Sequence, residues 1–135
     1  QSLKKLSKFL IKKYKINPKN ILGHSDIAPT RKKDPGEKFP WEYLAKFKIG
    51  KWHSIPKQTL LKNREKKTTT LDKKNFFFNL LKIGYSKKNL NRIKKNKYLT
   101  LKTIAFQRRF RQELINGKID KECLIISQNL AKKLS

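Results

Sequence analysis

The feature that most restricts this chain is the stretch Gly23-His24-Ser25-Asp26-Ile27-Ala28-Pro29-Thr30-Arg31-Lys32-Lys33-Asp34-Pro35-Gly36, followed by Phe39-Pro40-Trp41. Its density of Pro, Gly, Ser and Asp excludes the interior of a helix or a strand, so regular structure must lie on either side. The apolar pair Ile21-Leu22 runs straight into it. That places His24 at the mouth of a short strand, with Lys32 and Asp34 further along the loop that strand feeds. Imidazole and carboxylate are both zinc ligands. A loop that returns a carboxylate towards a histidine can therefore hold a metal or a reaction centre. By spacing alone, a capped surface loop with His24 and Asp34 solvated or paired to lysines explains the same residues.

Before this stretch, Leu3, Leu6, Phe9 or Leu10, and Tyr14 recur every three to four residues, with lysines between them. The pattern predicts an amphipathic helix over residues 2–14, ended by Asn17-Pro18. Its apolar stripe needs a sheet or another helix to lie on. After it, Pro40 suits the first turn of a second helix with Trp41, Leu44, Ala45 and Phe47 on one side, and Gly50 as its stop. Trp41 reads as a core anchor beneath the loop. His53 reads as a surface histidine and not as a further ligand.

From Pro56 to Lys74 the hydrophobic period fades, and residues 57–73 read as a partly ordered linker whose charge run is solvated. Three helices then follow. Asp72 is a candidate cap for the first, which carries Phe76, Phe77, Leu80 and Leu81, with Gly84 as its left-handed close. Thr100 is the expected N-cap of the second, which buries Leu101, Ile104, Ala105, Phe110 and Leu114. Asn116-Gly117 turns the chain. Asp120 caps the third, with Cys123, Ile126, Leu130 and Leu134 as its stripe. These faces are buried only if the three helices pack together.

The 135 residues leave room for one ordinary domain or two small ones. The formal net charge of +27, from 36 Lys and Arg against 9 Asp and Glu, attracts polyanions. Nucleic acid, acidic membrane surfaces and anionic wall polymer are the candidates. Only six of the 36 are arginine, whereas nucleic-acid readers often use arginine for bidentate contacts. A bias towards A- and T-rich codons also produces lysine. Cys123 is alone, so no internal disulfide forms. No apolar run approaches the roughly 20 residues that span a bilayer.

Gly23 to Asp34, read with Phe39-Pro40-Trp41-Glu42-Tyr43-Leu44-Ala45 and the later Ile49-Gly50-Lys51-Trp52, resembles the C-terminal signature of the type 2 N-acetylmuramoyl-L-alanine amidases, zinc hydrolases of peptidoglycan. The resemblance implies that His24 and Asp34 are zinc ligands and that Lys32, eight positions after His24, stabilises the oxyanion. Arg31 would support the loop or substrate carboxylates. The family's first zinc histidine and its general-base glutamate lie upstream of this motif and have no counterpart here. Together with the absence of methionine, this leads us to expect the C-terminal part of a longer enzyme, inactive by itself.

A second resemblance lies in Leu80-x-x-x-Gly84-Tyr85, Thr103-x-x-Phe106-Gln107 and Asn116-Gly117-Lys118-Ile119-Asp120, which is similar to the three-helix peptidoglycan-binding domain of wall hydrolases. The lysine-rich loop between Tyr85 and Leu99 departs from its compact form. For Tyr85, Phe106 and Gln107, helix packing and capping weigh above sugar contact.

The expected fold is thus α+β and mostly helical. Residues 1–56 are a remnant of an amidase α/β domain with most of its sheet missing, 57–73 a linker, and 74–135 a small three-helix domain. Expected partners are peptidoglycan or muropeptides, in the bacterial cell envelope. No specific nucleic acid is expected. The alternatives are a non-catalytic peptidoglycan-binding module, or a basic nucleic-acid protein with Arg108-Arg109-Phe110-Arg111 on a recognition helix facing phosphate.

Overall fold

The structure is a computed structural model that describes residues 2–29, 32–85 and 95–134. Its helices run α1 Ser2–Tyr14, α2 His24–Ile27, α3 Trp41–Ala45, α4 Lys57–Asn63, α5 Thr70–Ile83, α6 Lys95–Phe110 and α7 Lys121–Leu134, with a 3-10 turn at Pro18–Asn20. Among the described residues there is no strand. The chain is therefore mostly helical, and Ile21 enters the His24 stretch as extended backbone that belongs to no strand.

The apolar stripes of α5, α6 and α7 meet in one core. Phe76 and Leu80 from α5, with Tyr85 just beyond it, pack on Ala105, Phe106 and Phe110 of α6 and on Cys123, Leu124, Ile126 and Leu130 of α7. Phe76 and Phe106 cross edge-to-face, centroids 5.1 Å apart and planes at 89°, the arrangement that aromatic quadrupoles favour. The Leu134 side chain lies outside the described residues. Cys123 has no exposed surface, and burial pushes its thiol up to about 12.

Local chemistry sets the helix ends. Thr69, not Asp72, is the N-cap of α5. Its hydroxyl accepts from the Asp72 amide at 3.1 Å, while the Asp72 carboxylate accepts from the Thr69 amide at 2.9 Å, a reciprocal capping box. Gly84 closes the helix at φ 121°. Helix α6 begins at Lys95, ahead of Thr100. The Thr100 hydroxyl donates back to the Asn96 carbonyl at 2.9 Å, so it bonds within the helix instead of capping it. Asp120 caps α7, its Oδ1 accepting from the Cys123 amide at 2.9 Å.

Within residues 57–73 not every charge is solvated. These residues carry α4 and the first turn of α5, and they are tied to α7. Arg64 donates to both oxygens of Glu122, at 2.7 and 2.9 Å. The Glu65 amide donates to Asp120 at 3.0 Å, and the Thr68 hydroxyl to the Ile119 carbonyl at 2.7 Å. Arg111, 1% exposed, pairs with Asp120 and Glu122. Polar pairing here does what the missing apolar period cannot, and pairing is what a buried charge requires. Gln107 is likewise occupied. Its Oε1 accepts from the Asn116 and Gly117 amides and its Nε2 donates to the Lys118 carbonyl. It holds the 116–118 turn.

Helix α1 is where sequence predicts it, but it has no buried residue. It meets the rest of the chain through lysines. Lys4 Nζ lies 3.5 Å from the Phe47 ring centroid, and Lys8 Nζ lies 4.7 Å from it. Leu3, Leu6, Phe9, Leu10 and Tyr14 remain exposed.

In urea titrations of residues 1–135, Phe106→Ala is expected to cost about 3–5 kcal/mol. Phe9→Ala, at a side chain 59% exposed, should change stability by no more than about 0.5 kcal/mol.

Candidate active site

Gly23 starts the site by having no side chain. A Cβ there would lie 2.6 Å from Pro35 Cδ and 3.3 Å from Trp41 Cζ2. The two ends of the loop therefore close to a separation that only glycine permits. The Ser25 amide donates to the Asp34 carbonyl at 3.0 Å, and the Lys32 amide to the Ala28 carbonyl at 2.9 Å. Between these bonds α2 forms as one helical turn. The Pro- and Gly-rich stretch thus does contain a helix, contrary to expectation. Tertiary bonds, not propensity, hold it.

His24 is the first residue of α2 and Asp34 stands across the loop from it. His24 Nδ1 and Asp34 Oδ2 are 2.5 Å apart, with side chains 68% and 60% exposed. The hydrogen bond from His24 holds the Asp34 carboxyl below its usual range, and the nearby Lys32 charge adds to this. The sequence-predicted pair is thus brought together, on a surface open to solvent, with Lys32 close enough to act on it. Arg31 lies outside the described residues, as do residues 86–94 of the lysine-rich loop. The two atoms meet in a direct hydrogen bond; an imidazole nitrogen and a carboxylate oxygen are donor types that suit zinc. Among the described residues no third His, Cys, Asp or Glu joins them.

Trp41 is buried beneath the loop, as expected of an anchor. His53 differs from expectation. It is 9% exposed and stacks on Trp52, centroids 4.9 Å apart. Its Nδ1 accepts from the Ile55 amide at 3.3 Å. Burial, reinforced by the Lys133 charge, lowers its pKa to about 4. The recognition-helix reading also loses its residues. Arg109 and Arg111 are 4% and 1% exposed, and both are paired with carboxylates inside the fold.

What sequence reasoning missed is the support under α2. Asp26 Oδ2 accepts from the Gly23 amide at 2.9 Å and from Arg109 Nη1 at 2.6 Å, and its Oδ1 accepts from the Tyr85 hydroxyl at 2.7 Å. Tyr85 and Arg109 lie 59 and 83 positions away from Asp26, so no local pattern joins them. The only signal was the rarity of arginine in a lysine-rich chain.

No protein-family model matches the chain. Over 133 residues, 98% of its length, it is 35% identical to the N-acetylmuramoyl-L-alanine amidase AmiD of Escherichia coli, of which the match covers 47%. A 49-residue stretch, 35% of the chain, is 49% identical to the 1,6-anhydro-N-acetylmuramyl-L-alanine amidase AmpD of Haemophilus influenzae, covering 27% of that protein. In three dimensions 98% of the chain superposes on 51% of E. coli AmiD with a TM-score of 0.82 at 35% identity. That structure is a complex with the substrate anhydro-N-acetylmuramic acid-L-Ala-D-gamma-Glu-L-Lys. Similarly, 98% of the chain superposes on 51% of Pseudomonas aeruginosa AmpDh3, in complex with anhydromuramic pentapeptide, with a TM-score of 0.77 at 32% identity. The chain is homologous to the AmiD/AmpD-type N-acetylmuramoyl-L-alanine amidases. It spans about half the length of AmiD.

Two outcomes test this geometry. Gly23→Ala should cost about 1–3 kcal/mol and, in the His24 ring NMR signals, show loss of the Asp34 contact. For His53, folding favours the neutral ring, because its pKa is 6.5 in the unfolded chain and about 4 when folded. The unfolded state takes up the proton first, so stability should fall as pH drops from about 6.5 to about 4 and His53 should add no further slope below that. The urea midpoint of wild type minus that of His53→Gln, followed across this range, isolates the effect.

Proposed function

We propose that this chain is the C-terminal part of a zinc-dependent peptidoglycan amidase, which cleaves the amide between the lactyl group of N-acetylmuramic acid and L-alanine. The observation that carries the reading is the convergence of His24 Nδ1 and Asp34 Oδ2 at 2.5 Å, in a chain homologous to AmiD over 98% of its length. His24 and Asp34 would hold the metal. Bound there, zinc supplies Lewis acidity and a water that ionises near neutral pH. Lys32 would face the carbonyl oxygen and offset the negative charge that grows on it as the amide carbon becomes tetrahedral. The third ligand and the general base belong, in this reading, to sequence outside residues 1–135. The substrate class is peptidoglycan or muropeptides, and the setting is the bacterial cell envelope. Among the described residues no helix is long and apolar enough to cross a membrane.

The exposed stripe of α1 supports the same reading. A helix that turns Lys4 towards its own chain and Leu3, Leu6 and Phe9 outwards is one built to lie against more protein. In the proposed division, residues 1–56 are the remnant of the amidase α/β domain, whose sheet would cover that stripe. Residues 74–135 are the wall-binding helices, joined by 57–73. A binding role without catalysis is favoured by a separate feature. A groove of about 720 Å³ is lined by Lys66, Lys67, Phe77, Asn116 and Lys118 among others.

Purified residues 1–135 should bind Zn²⁺ weakly, and His24→Ala or Asp34→Ala should abolish that binding. With zinc present they should release no L-alanine-terminated peptide from anhydro-muramyl peptides, as read by mass spectrometry. Zinc binding indifferent to both substitutions would remove the metal assignment. Hydrolysis by these residues alone would remove the assignment of base and third ligand to other sequence. In a longer, active form Lys32→Ala should lower kcat by about 10²–10³. Retention on sacculi that survives raised salt would support pocket binding over ion exchange.

A further inference from the structure

We infer that Arg109 and Tyr85, both from the C-terminal helical part, are positioning residues for the His24–Asp34 pair, acting through Asp26. The inference rests on the zinc reading only for its consequence, not for its geometry. Helix α2 is a single turn, too short to hold its own shape, and His24 leaves it from the first position. Its orientation is therefore fixed by whatever grips the turn from below, and that grip is Asp26.

Both oxygens of Asp26 are engaged from α6 and the end of α5. Arg109 Nη1 donates at 2.6 Å and the Tyr85 hydroxyl at 2.7 Å. Arg109 Nη2 donates to the Ile21 carbonyl at 3.2 Å, so one guanidinium holds the strand-like segment entering the site and the turn that follows it. Its carbon lies 4.0 Å from the centroid of Trp41, the ring that also walls Gly23. Gly50, at φ +81°, makes room for this packing. A Cβ there would lie 3.2 Å from Arg109 Nη2 and 3.3 Å from Trp41. Arg109, Asp26 and Tyr85 are all 5% exposed or less. Burial, with the Asp26 charge behind it, raises the Tyr85 pKa well above its usual value, so its hydroxyl remains a donor. Arg109 meets Asp26 and Ile21 from two different nitrogens, and a lysine at 109 would have only one nitrogen, without the planar fork that fixes both directions.

The helical part is in this view a structural member of the reaction centre, whatever else it binds. Outer groups that orient metal ligands alter metal affinity by about 10–100-fold when removed.

The test uses residues 1–135 as wild type, Tyr85→Phe, Arg109→Lys and, as a control of similar burial away from α2, Ser127→Ala. Each is first shown to be folded by circular dichroism and urea titration. The ¹⁵N shifts of the His24 ring and the Zn²⁺ dissociation constant, from competition with a chromophoric chelator, are then read. The expected result is that Tyr85→Phe and Arg109→Lys move the His24 ring shifts and weaken Zn²⁺ binding about tenfold, while Ser127→Ala changes neither. Wild-type His24 shifts in both variants would overturn the inference, as would equal changes in Ser127→Ala. If Arg109→Lys does not fold, Tyr85→Phe, which keeps the buried ring, decides alone. If wild type binds no zinc beyond His24→Ala, the amidase reading fails, and the ring shifts still decide whether Arg109 and Tyr85 position His24.

Discussion

The buried pair of Arg109 with Asp26 is the interaction on which the arrangement depends. In a chain of +27 formal charge, nine carboxylates face 36 cations, and self-repulsion opposes compaction. The scarce acids are accordingly not scattered. Asp26, Asp34, Asp72, Glu113, Asp120 and Glu122 all form ion pairs. The three that are buried, Asp26, Asp120 and Glu122, face Arg109, Arg111 and Arg64. Each of these buried carboxylates is met by an arginine. The forked guanidinium meets a carboxylate and a backbone carbonyl from two nitrogens held in one plane, whereas an ammonium must meet both from a single nitrogen with no fixed direction.

The chain has two kinds of cohesion. Between α5, α6 and α7, apolar area dominates, with Phe76, Phe106 and Ile126 fully enclosed. Between the helical part and the residues before it, the packing of Trp52, Ile55 and Leu60 on the core is joined by polar contacts to backbone groups: Arg109 on the Ile21 carbonyl, Gln112 on the Phe39 carbonyl at 2.8 Å, and the Ser54 amide on Asn129 at 3.0 Å. Such contacts specify orientation more than they add stability. A reaction centre assembled from a one-turn helix and an irregular loop needs orientation above all.

The sequence was most informative where chemistry acts locally. The helix over 2–14, the Asp120 cap, the Gly84 close and the meeting of His24 with Asp34 all follow from residue types a few positions apart, and the structure has them. It was least informative where the partner is remote in sequence. Residues 57–73 have no apolar period because their cohesion comes from Arg64, Glu65 and Thr68 reaching α7 and the turn before it. His53 looked like a surface residue because the charged groups that face it, Lys133 and Glu113, are remote in sequence. Asp26 looked like one more loop acid because its two side-chain donors, Tyr85 and Arg109, lie 59 and 83 positions away. The one-turn α2 was hidden for the same reason.

The enclosed sulfur of Cys123 carries a consequence of a different kind. With its thiol pushed up to about 12, almost none of it is ionised at neutral pH, and the anion is the form that attacks disulfides and is oxidised first. The core is thus indifferent to redox surroundings. It can mature in a reducing cytosol and serve in an oxidising space without acquiring a mixed disulfide or losing a bond it needs.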